Sequence, residues 1–186
     1  MTTLVTRKFT VEQFHRMIQC GVFPEDDRIE LIHGEIAEMS PIGPSHAACV
    51  KRGNRLFSEA LRARCVVSVQ DPVQLDDRSA PQPDLALLVS REDFYASALP
   101  RPRDVLLAVE VSDSSLEYDR TVKIPLYAAA GIAEAWIVDL AALAIEVHTG
   151  PRRTGYAQVR TVRGEEAIRL VAFPDVSILA SEVLGP

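Results

Sequence analysis

The chain contains two nearly uninterrupted apolar runs, DLALLV at residues 84–89 and VLLAVEV at residues 105–111. Such runs are typical of strands that are buried on both faces of a sheet. Each run also carries one acid, because Asp84 opens the first and Glu110 lies near the end of the second. A carboxylate among apolar neighbours is costly unless a cation, a metal or hydrogen bonds compensate it. The two runs therefore indicate both the centre of a sheet and the first candidates for chemistry.

The segments around these runs predict a mixture of helices and strands. Helices are predicted over residues 10–20, 45–64 and 118–130, the second with Ser45 as its N-cap and the third with a kink or a start near Pro125. The inner face of the second helix is predicted to carry Ala48, Leu56, Phe57, Ala60 and Leu61. Near alternation of apolar and polar residues about His33-Gly34 predicts a half-buried antiparallel hairpin over residues 28–39, with its turn at these two residues. Further strands are predicted at residues 65–69, 73–75, 135–139, 143–149, 156–162, 168–171 and 176–179.

This order predicts an α/β (α+β) fold with a central mixed β-sheet flanked by helices, preceded by an N-terminal helix and β-hairpin. The length of 186 residues predicts one domain over residues 1–186. Cys20, Cys49 and Cys65 have no metal-ligand spacing and are predicted to be reduced core thiols. No apolar segment approaches the roughly 18 residues of a membrane span, so a cytoplasmic protein without a membrane partner is expected.

The charge balance limits the partners of the chain. Twenty Lys and Arg against 26 Asp and Glu give a formal net charge of −6. An acidic total argues against a protein whose whole surface coats nucleic acid or anionic membrane, because such binding needs a positive field. It leaves room for one basic face. No glycine-rich phosphate-binding motif is present, so no nucleotide cofactor is expected.

Asp84 and Glu110 are the main candidates for a metal site. Two neighbouring strands could present both carboxylates to one Mg²⁺, which prefers oxygen ligands. The residues alone leave an alternative, in which Glu110 pairs with a buried Arg or Lys and Asp84 caps a turn.

Pro83-Asp84 and the later Glu110-Val111-Ser112 resemble the PD-(D/E)XK nuclease superfamily, whose fold is restriction-endonuclease-like. In that superfamily the two acids hold a metal, and a lysine two residues after the second acid orients the attacking water. Ser112 stands where that lysine is expected. Lys123, on the predicted helix at residues 118–130, is the candidate for a lysine that has migrated.

A wider set of segments, at residues 29–36, 45–46 and 110–139, is similar to the Uma-two family of "putative restriction endonucleases". The resemblance extends in order over about residues 10–183, which would be the restriction-endonuclease-like core. It implies a Mg²⁺-dependent endodeoxyribonuclease that uses Mg²⁺ or Mn²⁺ to hydrolyse phosphodiester bonds, with DNA preferred as the substrate.

The resemblance also implies roles for individual residues. Asp84 and Glu110 would be metal ligands, with the backbone carbonyl of Val111 as a third donor. Lys123 would hold or deprotonate the attacking water and stabilise charge on the phosphate. Glu30 would be a further ligand or would orient one. The alternatives are a solvated lysine at Lys123 and a hairpin surface charge at Glu30.

Three further sets of residues are candidates for contacts in or around that centre. His46, near the start of the long helix, would donate to a phosphate or assist the site, although a lone histidine is more often structural. Asp119 lies four residues before Lys123 and is expected to pair with it on one helical face. The basic residues of the long helix are predicted to bind nucleic acid, and they are Lys51, Arg52 and Arg55.

A second interpretation is a module with the same fold that has lost its chemistry and serves partner binding or homodimer assembly. The replacement of the expected lysine by Ser112 favours it, and the joint presence of Asp84, Glu110 and Lys123 opposes it. A homodimer is also expected if the protein cuts both strands of a duplex.

Overall fold

A computed structural model describes residues 6–185 and has a six-stranded mixed sheet at its centre. The strand order is β3-β4-β5-β6-β7-β8, in which β5 and β6 are parallel and all other neighbours are antiparallel. These strands are β3 (Cys65–Ser68), β4 (Leu85–Val89), β5 (Val105–Ser112), β6 (Glu134–Asp139), β7 (Ala144–Arg152) and β8 (Gly155–Val162). The predicted α/β fold with a mixed central sheet is confirmed.

The remaining elements flank this sheet or pair with each other. The helices are α1 (Val11–Gln19), α2 (Pro44–Leu61), α3 (Leu116–Tyr118), α4 (Ile124–Ala129) and α5 (Ala180–Leu184). One small antiparallel pair is formed by β1 (Ile29–Ile32) and β2 (Glu35–Glu38), and another by β9 (Ala167–Arg169) and β10 (Ser177–Leu179). No helix of the described residues is long and apolar enough to cross a membrane.

The two apolar runs of the sequence form the middle of the sheet as β4 and β5. Side chains alternate along β5, so that Val109 packs in the cluster under α2 while Ala108 packs in the cluster under α4. Glu110 has the same parity as Ala108 and faces the α4 side. Both faces of the sheet are therefore covered, as the apolar runs predict.

The hairpin of β1 and β2 forms with the predicted His33-Gly34 turn. The expectation that it is half-buried is wrong for β1, whose four residues are all buried. A third segment covers this strand, because Ala80 donates its backbone N–H to the carbonyl of Leu31 at 2.7 Å. Phe14 of α1 packs in the same small core. Local periodicity does not reveal a cover that comes from a segment 50 residues away.

Several local expectations need correction. Gly43, not Ser45, is the N-cap of α2, because Pro44 suits the first helical position. Ala60 is exposed near the end of that helix. Residues 73–75 form no strand, although Val73 is buried in its loop. All three cysteines are free, but Cys20 is exposed and is not a core thiol.

The helical segment that connects β5 to β6 contains a π turn at Asp119–Lys123, between α3 and α4. Pro125 lies just after it. Proline has no N–H to bond to the carbonyl four residues earlier, and its ring crowds that carbonyl. The wider π turn places this irregularity directly beside the end of β5, and it carries Asp119 and Lys123 towards the sheet.

We expect Phe57→Ala to lower the free energy of unfolding by about 3–5 kcal/mol, because it leaves a cavity between α2 and the sheet. Phe57 is fully buried, and its ring centroid lies 5.8 Å from that of Trp136. The neighbouring Ser58 is exposed, so Ser58→Ala should change stability by no more than about 0.5 kcal/mol. Urea unfolding followed by circular dichroism measures both, and equal losses would contradict this packing.

Candidate active site

A cleft of about 340 Å³ opens where β5 ends. Its walls come from the β1–β2 hairpin, the segment 39–43, the start of α2, the end of β5 and the π turn. The carboxylates that line it are those of Glu30, Glu38, Asp84, Glu110, Asp113 and Asp119. The basic groups that line it are those of Arg28, His46 and Lys123. The cleft is therefore strongly acidic among the described residues.

Lys123 reaches from the π turn into the base of this cleft and is buried. Its Nζ lies 3.0 Å from Oε1 of Glu110 and 3.2 Å from Oε2 of Glu30, and it donates to the carbonyl of Gln82 at 3.2 Å. These three contacts can use all three ammonium protons. Burial lowers the pKa of Lys123, but the carboxylates of Glu110 and Glu30 outweigh burial and hold that pKa above its ordinary value. The amine is therefore an ammonium ion at neutral pH.

Glu110 is buried at the end of β5. Its Oε1 accepts a hydrogen bond from the hydroxyl of Tyr127, one turn after Lys123 on the same helical segment. Burial raises the pKa of Glu110 well above its ordinary value, and the ammonium of Lys123 opposes this shift. Among the described residues no donor bonds to Oε2. The predicted alternative that Glu110 pairs with a buried cation is thus correct as a contact, and it coexists with a place in the cleft.

Asp84 immediately precedes β4 and completes the hydrogen bonding of β5. Its Oδ2 accepts from the backbone N–H of Val111 at 2.9 Å and lies 3.0 Å from Nε2 of His46, while Oδ1 accepts from the amide of Gln70 at 3.0 Å. Burial raises the pKa of Asp84, but the bonds from His46 and Gln70 outweigh burial and hold the pKa below its usual range. The N–H and C=O of one strand residue point to the same edge. The carbonyl of Val111 therefore points towards the Asp84 side of β5.

Glu30 is completely buried in β1, so the alternative of a hairpin surface charge is wrong. Besides Lys123, its carboxylate accepts from the backbone N–H of Gln82 at 3.0 Å and from the hydroxyl of Tyr118 at 3.3 Å. The same ammonium therefore connects the hairpin to β5.

Asp119 is also buried, but its bonds differ from the expected pairing with Lys123. Its Oδ2 accepts from the hydroxyls of Ser112 at 2.7 Å and Ser115 at 2.6 Å. Both side chains line the cleft, but the ammonium of Lys123 already contacts Glu110, Glu30 and the carbonyl of Gln82, which explains the difference. Burial raises the pKa of Asp119, and the two serine bonds oppose the shift. Ser112, at the position of the superfamily lysine, thus holds an acid of the cleft.

The predicted nucleic-acid contacts on α2 do not line the cleft. The expectation that Arg52 contacts nucleic acid needs correction. Its guanidinium donates to the carbonyls of Val183, at 3.2 Å, and Leu184, at the end of α5. Arg55 is exposed and lies 3.9 Å from Glu59, and Lys51 is exposed. The sequence of a helix does not reveal which of its basic side chains contact the C-terminal segment.

Some residues of the cleft escaped the sequence analysis. Arg28 lines the cleft and donates from Nη1 to the carbonyl of Ser40 at 2.7 Å. It has no carboxylate partner among the described residues. Gln70 and Gln82 bond to the two acids through segments without regular structure. The sequence offers one indication for Gln82, which lies between two prolines, the second of which directly precedes Asp84.

The donor set suits a hard divalent cation. Asp84, Glu110 and the carbonyl of Val111 offer only oxygen atoms, which Mg²⁺ and Mn²⁺ prefer. The described residues contain no group of three or more His, Cys, Asp or Glu side chains that could hold a metal ion. Two side chains and one carbonyl would leave the other positions to water or substrate, which is usual for Mg²⁺.

Comparisons with known proteins concern the family and the fold of the chain. The model of the Uma2 family, described as "Putative restriction endonuclease", matches residues 11–181. The chain also resembles the crystal structure of a "putative nuclease belonging to DUF820" from Anabaena variabilis, with a TM-score of 0.75 and 13% sequence identity. That similarity covers 95% of this chain and 97% of the other, and it confirms the predicted nuclease fold. No curated protein matches the chain.

We expect Lys123→Met to lower the free energy of unfolding by about 3–5 kcal/mol, because it leaves Glu110 and Glu30 buried without their cation. Adding Glu110→Gln should restore part of this loss, since one of the two stranded charges is removed. A double-mutant cycle in urea at pH 7 measures the coupling between Lys123 and Glu110. Additive effects of the two substitutions would contradict the ion pair.

Proposed function

Because the chain belongs to the Uma2 family, we propose that it is a metal-dependent endonuclease that hydrolyses phosphodiester bonds in DNA. The observation that carries this proposal is the convergence of Asp84, Glu110 and Lys123 in one cleft. These are the three residues that the resemblance implies. Asp84 immediately precedes β4, Glu110 lies in β5, and Lys123 lies in the π turn.

The proposed cofactor is Mg²⁺ or Mn²⁺, held by Asp84, Glu110 and the carbonyl of Val111. When bound, the ion would act as a Lewis acid towards the phosphate and the attacking water. His46 and Gln70 would keep the carboxylate of Asp84 oriented, as their hydrogen bonds at 3.0 Å support. His46 therefore acts through Asp84 in this proposal, and the expected contact with a phosphate is replaced.

Lys123 is proposed to act as a positive charge. Because its pKa is held above the ordinary value, the ammonium stays charged and can stabilise negative charge on the attacking water and the phosphate electrostatically, but it is a poor base. Glu30 and Tyr127 would act as positioning residues, the first for Lys123 and the second for Glu110.

Arg28 is proposed to contact a phosphate of the substrate. The ammonium of Lys123 is already shared between two carboxylates, whereas Arg28 lines the cleft without a carboxylate partner in the described part of the chain. A guanidinium binds phosphate with two parallel hydrogen bonds. Because Arg28 uses Nη1 for the carbonyl of Ser40, its Nε and Nη2 are the proposed donors to the phosphate. Lys51 and Arg55, exposed on α2, stay predicted contacts for the flanking DNA.

A homodimer is proposed because one cleft cuts one strand at a time. Two copies would cut both strands of a duplex without release between the two steps. Light scattering of the free protein and of its complex with a duplex tests this: the mass of one chain for the free protein, and of one chain plus one duplex for the complex, would contradict it.

We expect Asp84→Asn to reduce cleavage of plasmid DNA in Mg²⁺ or Mn²⁺ by about 100-fold or more, because it removes a charge from the proposed metal site. The substitution is nearly isosteric. Calorimetric titration with Mn²⁺ should show a matching loss of affinity. The measurement that checks the fold is circular dichroism of both proteins.

The matched control is Asp26→Asn, an equal change of charge at an exposed position outside the cleft. It should retain wild-type cleavage and metal affinity. Cleavage that persists in Asp84→Asn would refute the assigned site. A wild-type protein that neither binds metal nor cleaves plasmid, single-stranded DNA or RNA would favour the non-catalytic module instead.

A further inference from the structure

A second basic region lies outside the cleft, in the outer strand β8 and the segments that precede and follow it along the chain. Five arginines occur within 18 residues here, and all are exposed. They form what we call the arginine surface: Arg152, Arg153, Arg160, Arg163 and Arg169. Residues 150–171 contain these five arginines and only two acids, Glu165 and Glu166. The segment therefore has a formal charge of +3 in a chain whose total is −6.

The arginine surface differs from many other cations of the chain, though not from all of them, in its lack of acidic partners. None of its guanidinium groups lies within 4.0 Å of a carboxylate oxygen of the described residues, and that of Arg160 donates only to the backbone carbonyl of Ala167, at 3.0 Å. The backbone N–H of Arg163 donates to Glu166 at 2.9 Å, but its guanidinium has no acidic partner in this part of the chain. Eight other cations do have such a partner, and they are Lys8, Arg16, Arg55, Arg64, Arg91, Arg103, Arg120 and Lys123. The guanidinium groups of this surface are therefore available to an external anion.

The register of the sheet relates this surface to the cleft. Ser112 of β5 aligns with Asp139 and then with Ala144, while Val162 lies beside Ile145. Arg163, which follows Val162, is therefore at the same end of the sheet as the cleft. Three strand spacings separate β5 from β8, or about 14 Å. Arg152 and Arg153 lie at the opposite end of β8, roughly 25 Å along the strand.

We propose that the arginine surface binds the phosphate backbone of a nucleic acid strand outside the cleft. It rests on the proposed function only for the identity of the polymer. Exposed arginines without carboxylate partners in the described residues, spread along the length of β8, match a backbone that carries one charge per 3.4 Å or so of each strand. Such contacts fix a polymer without reading its sequence. The surface would supply the attraction that the acidic cleft lacks.

A structural role predicts something different. Because β8 is an outer strand, charged side chains on it could serve only to prevent pairing with a second sheet. In that case removal of the arginines would cause self-association and would leave binding of nucleic acid unchanged. The two roles therefore give opposite results in one set of measurements.

The test compares two triple variants that change net charge equally. One is Arg152→Gln, Arg153→Gln and Arg163→Gln on the arginine surface. The control is Arg62→Gln, Arg78→Gln and Arg101→Gln, which are exposed arginines without a carboxylate partner in the described region. Fluorescence anisotropy with a 40-base-pair duplex in EDTA measures binding without cleavage. Failure of the proposed nuclease activity would leave this measurement intact.

We expect the surface variant to bind the duplex at least about tenfold more weakly at low salt, with a salt dependence reduced by two to three ions or so, while the control changes little. Equal weakening of both variants would overturn the proposal, because net charge alone would then explain binding. Unchanged binding accompanied by a larger mass in light scattering than that of the wild-type protein would also overturn it, in favour of protection of the strand edge. So would equal competition by polyglutamate, which would indicate an acidic protein partner.

Discussion

The buried ammonium of Lys123 holds the site together. It lies between Glu110 of β5 and Glu30 of β1, and it also bonds to the backbone of Gln82. Neither carboxylate is stable in such surroundings without a cation. One positive charge thus fixes the hairpin, the centre of the sheet and the π turn relative to each other. Because it serves two carboxylates, and Asp84 lies in the same cleft, negative charge remains in excess. That excess is the electrostatic reason why a divalent cation suits the proposed site.

The position of the lysine depends on backbone geometry that a sequence pattern shows only indirectly. At Ser112 of the strand, a lysine would point into the cleft directly. Here the π turn before Pro125 brings Lys123 to the end of β5 from the neighbouring helical segment. Ser112 in turn bonds to Asp119 of that turn. The serine and the lysine thus belong to one arrangement, in which the strand position has been given a structural role and the helix supplies the charge.

The sequence predicts those features that depend on neighbours along the chain. The apolar runs around Asp84 and Glu110 predict two buried strands and two buried acids, and both follow from local composition. The alternative of a surface charge at Glu30 is wrong, because β1 is covered by the segment at Ala80. The contacts of Arg52 escape the sequence for the same reason, since its partners are carbonyls at the end of α5. Contacts between distant segments decide both cases, and neither periodicity nor spacing contains them.

The net charge of −6 describes this protein poorly because its charges are separated in space. Acids concentrate around the cleft, where Lys123 is shared between two of them, whereas arginines without a carboxylate partner among the described residues concentrate in β8 and the segments next to it along the chain. A polyanion is repelled by the first region and attracted by the second. Screening over about 10 Å at 0.1 M salt keeps the two fields largely distinct, since roughly 14 Å separates β5 from β8. An acidic protein can therefore hold a nucleic acid near an acidic cleft, provided that the attraction comes from a different surface than the chemistry.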